Sequence, residues 1–300
     1  MLTTLAILVV ALPSAAQGLT ATTSQTGSAG PEATPTATGL PTQATALSNC
    51  PWLASAVAQH ETSSALAALV VARMTLAEKL GELVLSSSGS YENVNSGVAR
   101  VCVPSLTLQD GPVGLAFGDT GVTQLPAPPG IAATFDTALA RRYGQVEGSE
   151  ARGQGIDVVQ GPNLNIDRVP ESGRAFEGYG EDPFLVSTMG VADIEGIQSQ
   201  GVLADAKHLV AYSQETNRAA LDARVSSPAL NEIYLAPFKA AVVQAHVASI
   251  MCAYPELKGT FQCEDPALAP ILKQWGFSGF VRSDLGAVHD PAALRPAPTS

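Results

Sequence analysis

The chain has 300 residues, 46% of them hydrophobic and 14% charged, with a formal net charge of −11. That length suits a single α/β barrel and supplies ample apolar mass for its core. The acidic balance lacks the basic stripe that nucleic acid requires, and it disfavours an anionic membrane surface.

Met1 to Thr4 lead into an apolar run, Leu5 to Leu12, followed by Pro13-Ser14-Ala15-Ala16. This pattern predicts a signal peptide over residues 1–16 and a secreted, extracellular product. The run is too short to span a bilayer. Residues 17–46 are rich in Thr, Ala, Ser, Gly, Pro and Gln, a composition that buries too little surface to fold and reads as a linker. The ordered domain is expected over residues 47–290.

Within it, Thr75-Leu76-Ala77-Glu78 forms a capping box, and Leu76, Leu80 and Leu83 follow at helical spacing. Strand-like Leu106-Thr107-Leu108 precedes Gln109-Asp110-Gly111-Pro112. A helix is predicted from Thr137 to Gly153 with Asp136 as N-cap. Asp157-Val158-Val159 then precedes Gln160-Gly161-Pro162-Asn163. Pro183 to Gln200 reads as a helix stopped by Gly201. Val202 to Ala206 leads into Lys207-His208, and Pro228 to His246 reads as a further helix. Ser249-Ile250-Met251-Cys252 leads into Ala253-Tyr254. A helix from Pro266 to Trp275 precedes the strand that ends at Asp284. Strands alternating with helices argue for a parallel sheet.

Asp110, Asn163, Lys207, His208, Tyr254 and Asp284 each follow an apolar strand. Singly, each reads as a turn or capping residue. Together they mark the rim at the carboxyl ends of the strands, where α/β folds place their sites. No Gly-x-Gly-x-x-Gly follows a strand, and no phosphate loop, Cys-x-x-Cys or His cluster appears, so neither metal nor cofactor is expected. Cys252 and Cys263 bracket a short loop that a disulfide could close, which leaves Cys50 and Cys102 as a second pair. Four cysteines allow three pairings, and buried free thiols are the other reading.

Leu108-Gln109-Asp110-Gly111-Pro112, Gly173-Arg174-Ala175-Phe176-Glu177-Gly178-Tyr179-Gly180-Glu181-Asp182-Pro183, Lys207-His208 and Ser283-Asp284-Leu285-Gly286-Ala287 occur in that order. Met74-Thr75-Leu76-Ala77-Glu78-Lys79 precedes them. The set resembles the signature segments of glycoside hydrolase family 3, and most of all its secreted bacterial β-glucosidases. The resemblance implies an α/β fold with a TIM-like (β/α)8 barrel. It implies hydrolysis of terminal β-D-glucosidic bonds in carbohydrate metabolism, exo-acting and retaining, with a covalent glycosyl-enzyme on Asp284. Asp110 would accept hydrogen bonds from two hydroxyls of the terminal sugar. Arg174, Lys207 and His208 would donate to the same ring, and Tyr254 would stand beside the nucleophile. Arg174 has a structural alternative, an ion pair with Glu177 or Glu181. Arg168 is expected to pair with a carboxylate, and Glu181-Asp182-Pro183 to cap the next helix.

Several positions depart from the family pattern. Leu285 stands where a tryptophan usually lines the sugar site, and Tyr254-Pro255 replaces Tyr-Asn. No histidine occurs in residues 209–215, which disfavours the N-acetylhexosaminidase branch. Residues 291–300 are Pro- and Ala-rich without family likeness, so the chain reads as truncated and the barrel as incomplete at its C-terminal side. About six strand–helix steps are assignable where a closed barrel has eight. The strand ending at Asp284 would then lack one neighbour, and such an edge invites self-association. The rival expectation is a catalytically impaired carbohydrate-binding fragment without the second domain that carries the acid/base.

Overall fold

The computed structural model describes residues 49–290 apart from 60, 88, 89 and 117. The signal peptide (1–16), the linker (17–46) and the tail (291–300) lie outside the described residues.

The main sheet has six strands: β1 (Asn93–Asn95), β2 (Leu106–Asp110), β3 (Val158–Gln160), β4 (Leu203–Leu209), β6 (Ser249–Cys252) and β9 (Phe280–Ser283), adjacent in that order. β1 is antiparallel to β2, and the other neighbours are parallel. The parallel strands are linked by helices: α5 (Thr137–Gln154), α6 (Pro183–Gln198), α7 (Ala236–Val243) and α8 (Leu268–Gln274). This is an α/β fold with a curled, half-barrel sheet. The carboxyl ends of β2, β3, β4, β6 and β9 share one rim. β9 closes the sheet on one side, and among the described residues it pairs only with β6.

The helix from Asp136 forms as its cap dictates: Asp136 Oδ1 accepts from the amides of Ala138 and Leu139, and Gly155 ends it in the left-handed conformation. Asp182 caps α6 in the same way, accepting from Leu185 N at 2.7 Å. The predicted helix over 228–246 is interrupted. A helical turn (Ser227–Ala229) and a π-turn (Leu230–Tyr234) precede α7. Pro237 has no amide hydrogen to bond the Ile233 carbonyl, so the ladder widens, with Leu235 N bonding Leu230 O instead.

The capping box at Thr75 and Glu78 is made in full, and it opens only the short helix α3 (Leu76–Gly81). Leu76, Leu80 and Leu83 are exposed, so their helical spacing does not mark a core face. The core under the N-terminal segment is instead built by Leu53, Leu66, Val70, Met74, Val101 and Val103, around α1 (Pro51–Ala58) and α2 (Ser63–Arg73). A short α4 (Pro128–Ala132) precedes α5.

Helices α5 and α6 cross against each other with almost no side-chain spacer. A Cβ at Gly144 would collide with the Asp193 carbonyl, one at Gly148 with Ile197, and one at Gly196 with the Arg141 carbonyl. The inner face of α5 also holds the loop after β2. Tyr143 Oη lies 3.0 Å from the Pro112 carbonyl and 2.9 Å from that of Pro126.

Cys50 is bonded to Cys102 and Cys252 to Cys263. A small second sheet, β5 (Asp222–Ala223), β7 (Glu256–Leu257) and β8 (Thr260–Phe261), stands beyond the rim.

Candidate active site

Asp110 ends β2 and Lys207 lies near the end of β4; their side chains form an ion pair across β3. Lys207 is almost wholly enclosed while Asp110 is a quarter exposed, so the pair presents its carboxylate outward. Glu92 lies close by, hydrogen-bonded by Gln160, and its carboxyl is raised in pKa by burial and then by the charge of Asp110.

β4 extends beyond the Ala206 expected from sequence and includes Lys207 and His208. Strict alternation would send these two side chains to opposite faces. The register against β6 shifts between Ala206 and Leu209, and the Lys207–His208 peptide is cis. Lys207 contacts Asp110, while the His208 ring lies 3.6 Å from Asp284 through Nε2 and Oδ2.

Hydrogen bonds settle the tautomer of His208. Asn165 Nδ2 donates to the His208 carbonyl at 2.8 Å and Asn165 Oδ1 accepts the His208 amide at 3.0 Å, which fixes that side-chain amide. His208 Nδ1, 2.8 Å from the same Oδ1, must therefore carry the hydrogen. Nε2 is left with a lone pair, and Arg174 Nη1 donates to it at 3.2 Å. The imidazole is kept neutral because burial, then Arg174 and Lys207, push its pKa well below the ordinary value. Nε2 thus accepts from Arg174, and the Asp284 carboxylate stands 3.6 Å from it.

Arg174 makes the ion pair expected as its structural alternative. Its fork binds Glu177 at 3.1 and 2.7 Å, and its remaining nitrogen reaches His208. Arg168, expected in an ion pair, is exposed and takes part in none among the described residues. The reason is its place on the outer side of the loop before Pro170. Asn163 lines the cavity with Arg174 and His208, its Oδ1 accepting from Asn165 N at 3.0 Å.

Asp284 follows β9 directly. Its amide donates to the Cys252 carbonyl at 3.1 Å and its Oδ1 accepts from Leu285 N at 2.7 Å. Its Oδ2 has no hydrogen-bond partner among the described residues, although the atom is buried. Tyr254 is adjacent; burial first, then the charge of Asp284, hold its phenol in the protonated form. Leu285 is exposed beside the carboxylate.

Four residues of the site carried no strong signal in the sequence. Asn165 orients His208. Tyr212 packs edge-on against both His208, at 4.9 Å, and Tyr254, at 5.9 Å. Glu215 accepts from Tyr212 and binds Arg218 at 2.9 Å. Arg218 extends over the Tyr254 ring at 4.7 Å. Tyr212 follows β4 by three residues, while Glu215 and Arg218 lie in the polar run Gln214-Glu215-Thr216-Asn217-Arg218 before β5.

His208 and Tyr254 thus flank the Asp284 carboxylate, and Arg174 backs His208. Such an arrangement can bind a neutral polyhydroxylated ring and bring a nucleophile to it. Among the described residues no group of His, Cys, Asp and Glu is placed to hold a metal ion, and no helix is long and apolar enough to cross a membrane.

Comparison with known proteins follows the same segments. β-Glucosidase cel3A of Pyricularia oryzae is 39% identical over 243 residues, which cover 79% of this chain and 33% of that protein. The crystal structure of DesR, a β-glucosidase from Streptomyces venezuelae in complex with D-glucose, aligns with a TM-score of 0.73 at 40% identity, over 78% of this chain and 30% of that one. β-Glucosidase 3B from Thermotoga neapolitana in complex with glucose gives 0.71 at 37% identity, over 75% and 34%. The chain spans about a third of the length of such relatives. The sequence profile of the glycosyl hydrolase family 3 N-terminal domain matches residues 51–294. This chain belongs to glycosyl hydrolase family 3, and the matched region is that family's N-terminal domain.

Proposed function

We propose that this domain hydrolyses terminal β-D-glucosidic bonds with retention, through a covalent glycosyl-enzyme on Asp284. The observation that carries the reading is Asp284 Oδ2, buried and without a hydrogen-bond partner among the described residues, beside His208, which Arg174 contacts in turn. The glucose held by the neighbours DesR and β-glucosidase 3B supports the choice of sugar. In the first step Oδ2 attacks the anomeric carbon, the bond to the leaving oxygen breaks, and that oxygen takes a proton from a general acid. In the second, water displaces Asp284 and restores the carboxylate. Asp110 accepts from two hydroxyls of the ring, and Lys207 and Arg174 donate to it. A further hydroxyl of the ring donates to Asp284 Oδ2. The substrate is a β-glucoside or oligosaccharide, and two disulfides fit a secreted enzyme.

The test is covalent trapping. A 2-deoxy-2-fluoro glucoside with a good leaving group should label Asp284, because that leaving group needs no acid. Peptide mapping that puts the label on another residue of the folded protein removes Asp284 from the role.

A second reading is a carbohydrate-binding domain without its own acid catalyst. One observation bears on it: Glu147, Asp193 and Asp205, raised by burial, are enclosed, which leaves Asp167, raised to about 6, as a raised carboxyl group lining the cavity with Arg174 and His208. Turnover of an activated aryl β-glucoside with cellobiose left intact selects this reading.

A further inference from the structure

We propose that Arg282 is a positioning residue for the nucleophile: it ties the edge strand β9 across the concave face of the sheet and so sets where the Asp284 carboxylate stands relative to His208. The inference rests on the reading of Asp284 as nucleophile and adds a residue to that machinery.

Arg282 lies two residues before Asp284, so the two side chains leave β9 on the same face. The Arg282 side chain is 4% exposed. Its Nη1 donates to Gln160 Oε1 at the end of β3 and lies 3.5 Å from Asp205 Oδ2 on β4. Its Nη2 donates to Asn93 Oδ1 on β1 at 3.1 Å. Asp205 is held in turn by Ser249 Oγ of β6 at 2.7 Å, and Gln160 by Glu92. A single side chain from β9 is thus bonded to three strands that β9 does not touch through its backbone.

That matters because β9 has one backbone neighbour among the described residues. Asp284 Oδ1 is fixed by the local amide of Leu285, and Oδ2 has no bond of its own. The 3.6 Å between Oδ2 and His208 Nε2 is set by where β9 stands together with the neighbouring Tyr254, and the side-chain anchors of β9 to β1, β3 and β4 run through Arg282. The planar fork suits this task, since it directs two nitrogens to three acceptors at fixed angles; an ammonium on a flexible stem does not.

The experiment uses the full chain carrying Arg282→Met, with Arg282→Lys beside it. The trapping reagent described above should bind with an unchanged half-saturating concentration, since Asp110, Lys207 and Arg174 are intact. Its labelling rate at saturation should fall by about a hundredfold, the scale expected for a nucleophile displaced by an ångström or so. Arg282→Lys should recover only part of the rate. If Asp205, left without its cation, unfolds the single variant, Arg282→Met/Asp205→Asn carries the same readouts, and Arg282→Lys keeps a buried cation in place. A folded variant that labels at the wild-type rate overturns the proposal, because a merely structural arginine changes stability and leaves that rate alone. A crystal structure of the variant supplies an arm independent of the chemistry. Oδ2 should leave its place beside Nε2, and a retained 3.6 Å separation refutes the proposal. If the wild-type protein takes no label on Asp284, the nucleophile reading fails and the crystallographic arm alone decides the positioning.

Discussion

Asp110→Asn preserves the shape of the residue and removes its charge, so it isolates what that charge does. In the free protein the carboxylate faces an almost fully buried Lys207 ammonium, while its own side chain is 25% exposed. Stripping one partner from a fully buried pair costs about 3–5 kcal/mol. The exposure of Asp110 lowers that figure. So does Glu92, whose protonated form is favoured partly by the charge on Asp110 and which ionises more readily when that charge goes. A stability loss of about 1–2 kcal/mol is expected on this ground. Sugar affinity should suffer more. Hydrogen bonds to a charged acceptor contribute about 1.5–3 kcal/mol each, against about 0.5–1.5 for neutral ones. Weakening two of them lowers affinity by at least about tenfold, which is about 1.4 kcal/mol. Titration calorimetry with glucose and urea unfolding measure the two quantities separately. Unchanged affinity beside reduced stability would refute the sugar role and leave Asp110 as a support for the loop after β2.

Asp284→Ala should abolish covalent labelling while leaving the cooperative unfolding transition in place, as read by circular dichroism; a variant that still takes the label disproves the assignment. Replacing Cys252 and Cys263 by alanine opens a short loop with a sequence separation of 11, and chain-entropy reasoning puts the loss at about 3 kcal/mol; denaturant midpoints of the two proteins check it. His208 refuses in the folded state a proton that the unfolded chain accepts below about pH 6.5, so its contribution to stability is full above that pH and falls as the pH drops. His208→Gln should flatten this part of the stability profile between pH 8 and 5, and parallel profiles would contradict the assignment of a neutral imidazole. Among the described residues β9 pairs only with β6, and such an edge should drive self-association with rising concentration; light scattering that finds a monomer throughout the accessible range contradicts that expectation.

The parallel α/β plan was legible because alternation, caps and Gly stops act locally: Asp136, Asp182 and Gly155 do in the structure what their chemistry dictates. The short, polar β1, Asn93-Val94-Asn95, carries no apolar pattern; it is held by backbone pairing with β2 and by Arg282, which donates to Asn93 from β9. The site was legible where a residue follows an apolar strand. It was less so where position depends on backbone irregularity. Lys207 and His208 are neighbours that alternation would separate, and a register shift brings both to use. Arg218 lies in a loop, and its role comes from folding back over Tyr254. The direction of the His208 hydrogen bond was beyond any sequence pattern, because it is set by Asn165, 43 residues earlier. Leu76, Leu80 and Leu83 show the converse, a periodic stripe with no partner to bury it.

The bare contact between α5 and α6 has a consequence for how this domain tolerates change. Where side chains separate two helices, an added methyl group is absorbed by rotamer adjustment; where backbones touch, the only response is to move a whole helix. Gly144, Gly148 and Gly196 leave no such slack. α5 also grips Pro112 and Pro126 through Tyr143, so its displacement travels to the segment bearing Asp110. In a random library, substitutions at these three glycines on the outer layer should therefore rank with rim substitutions in lost sugar affinity. Exposed positions such as Leu76 and Leu80 should accept variation freely. Vulnerability in this domain follows the line of rigid contact from the helix pair inward, and distance from the sugar is a poor guide to it.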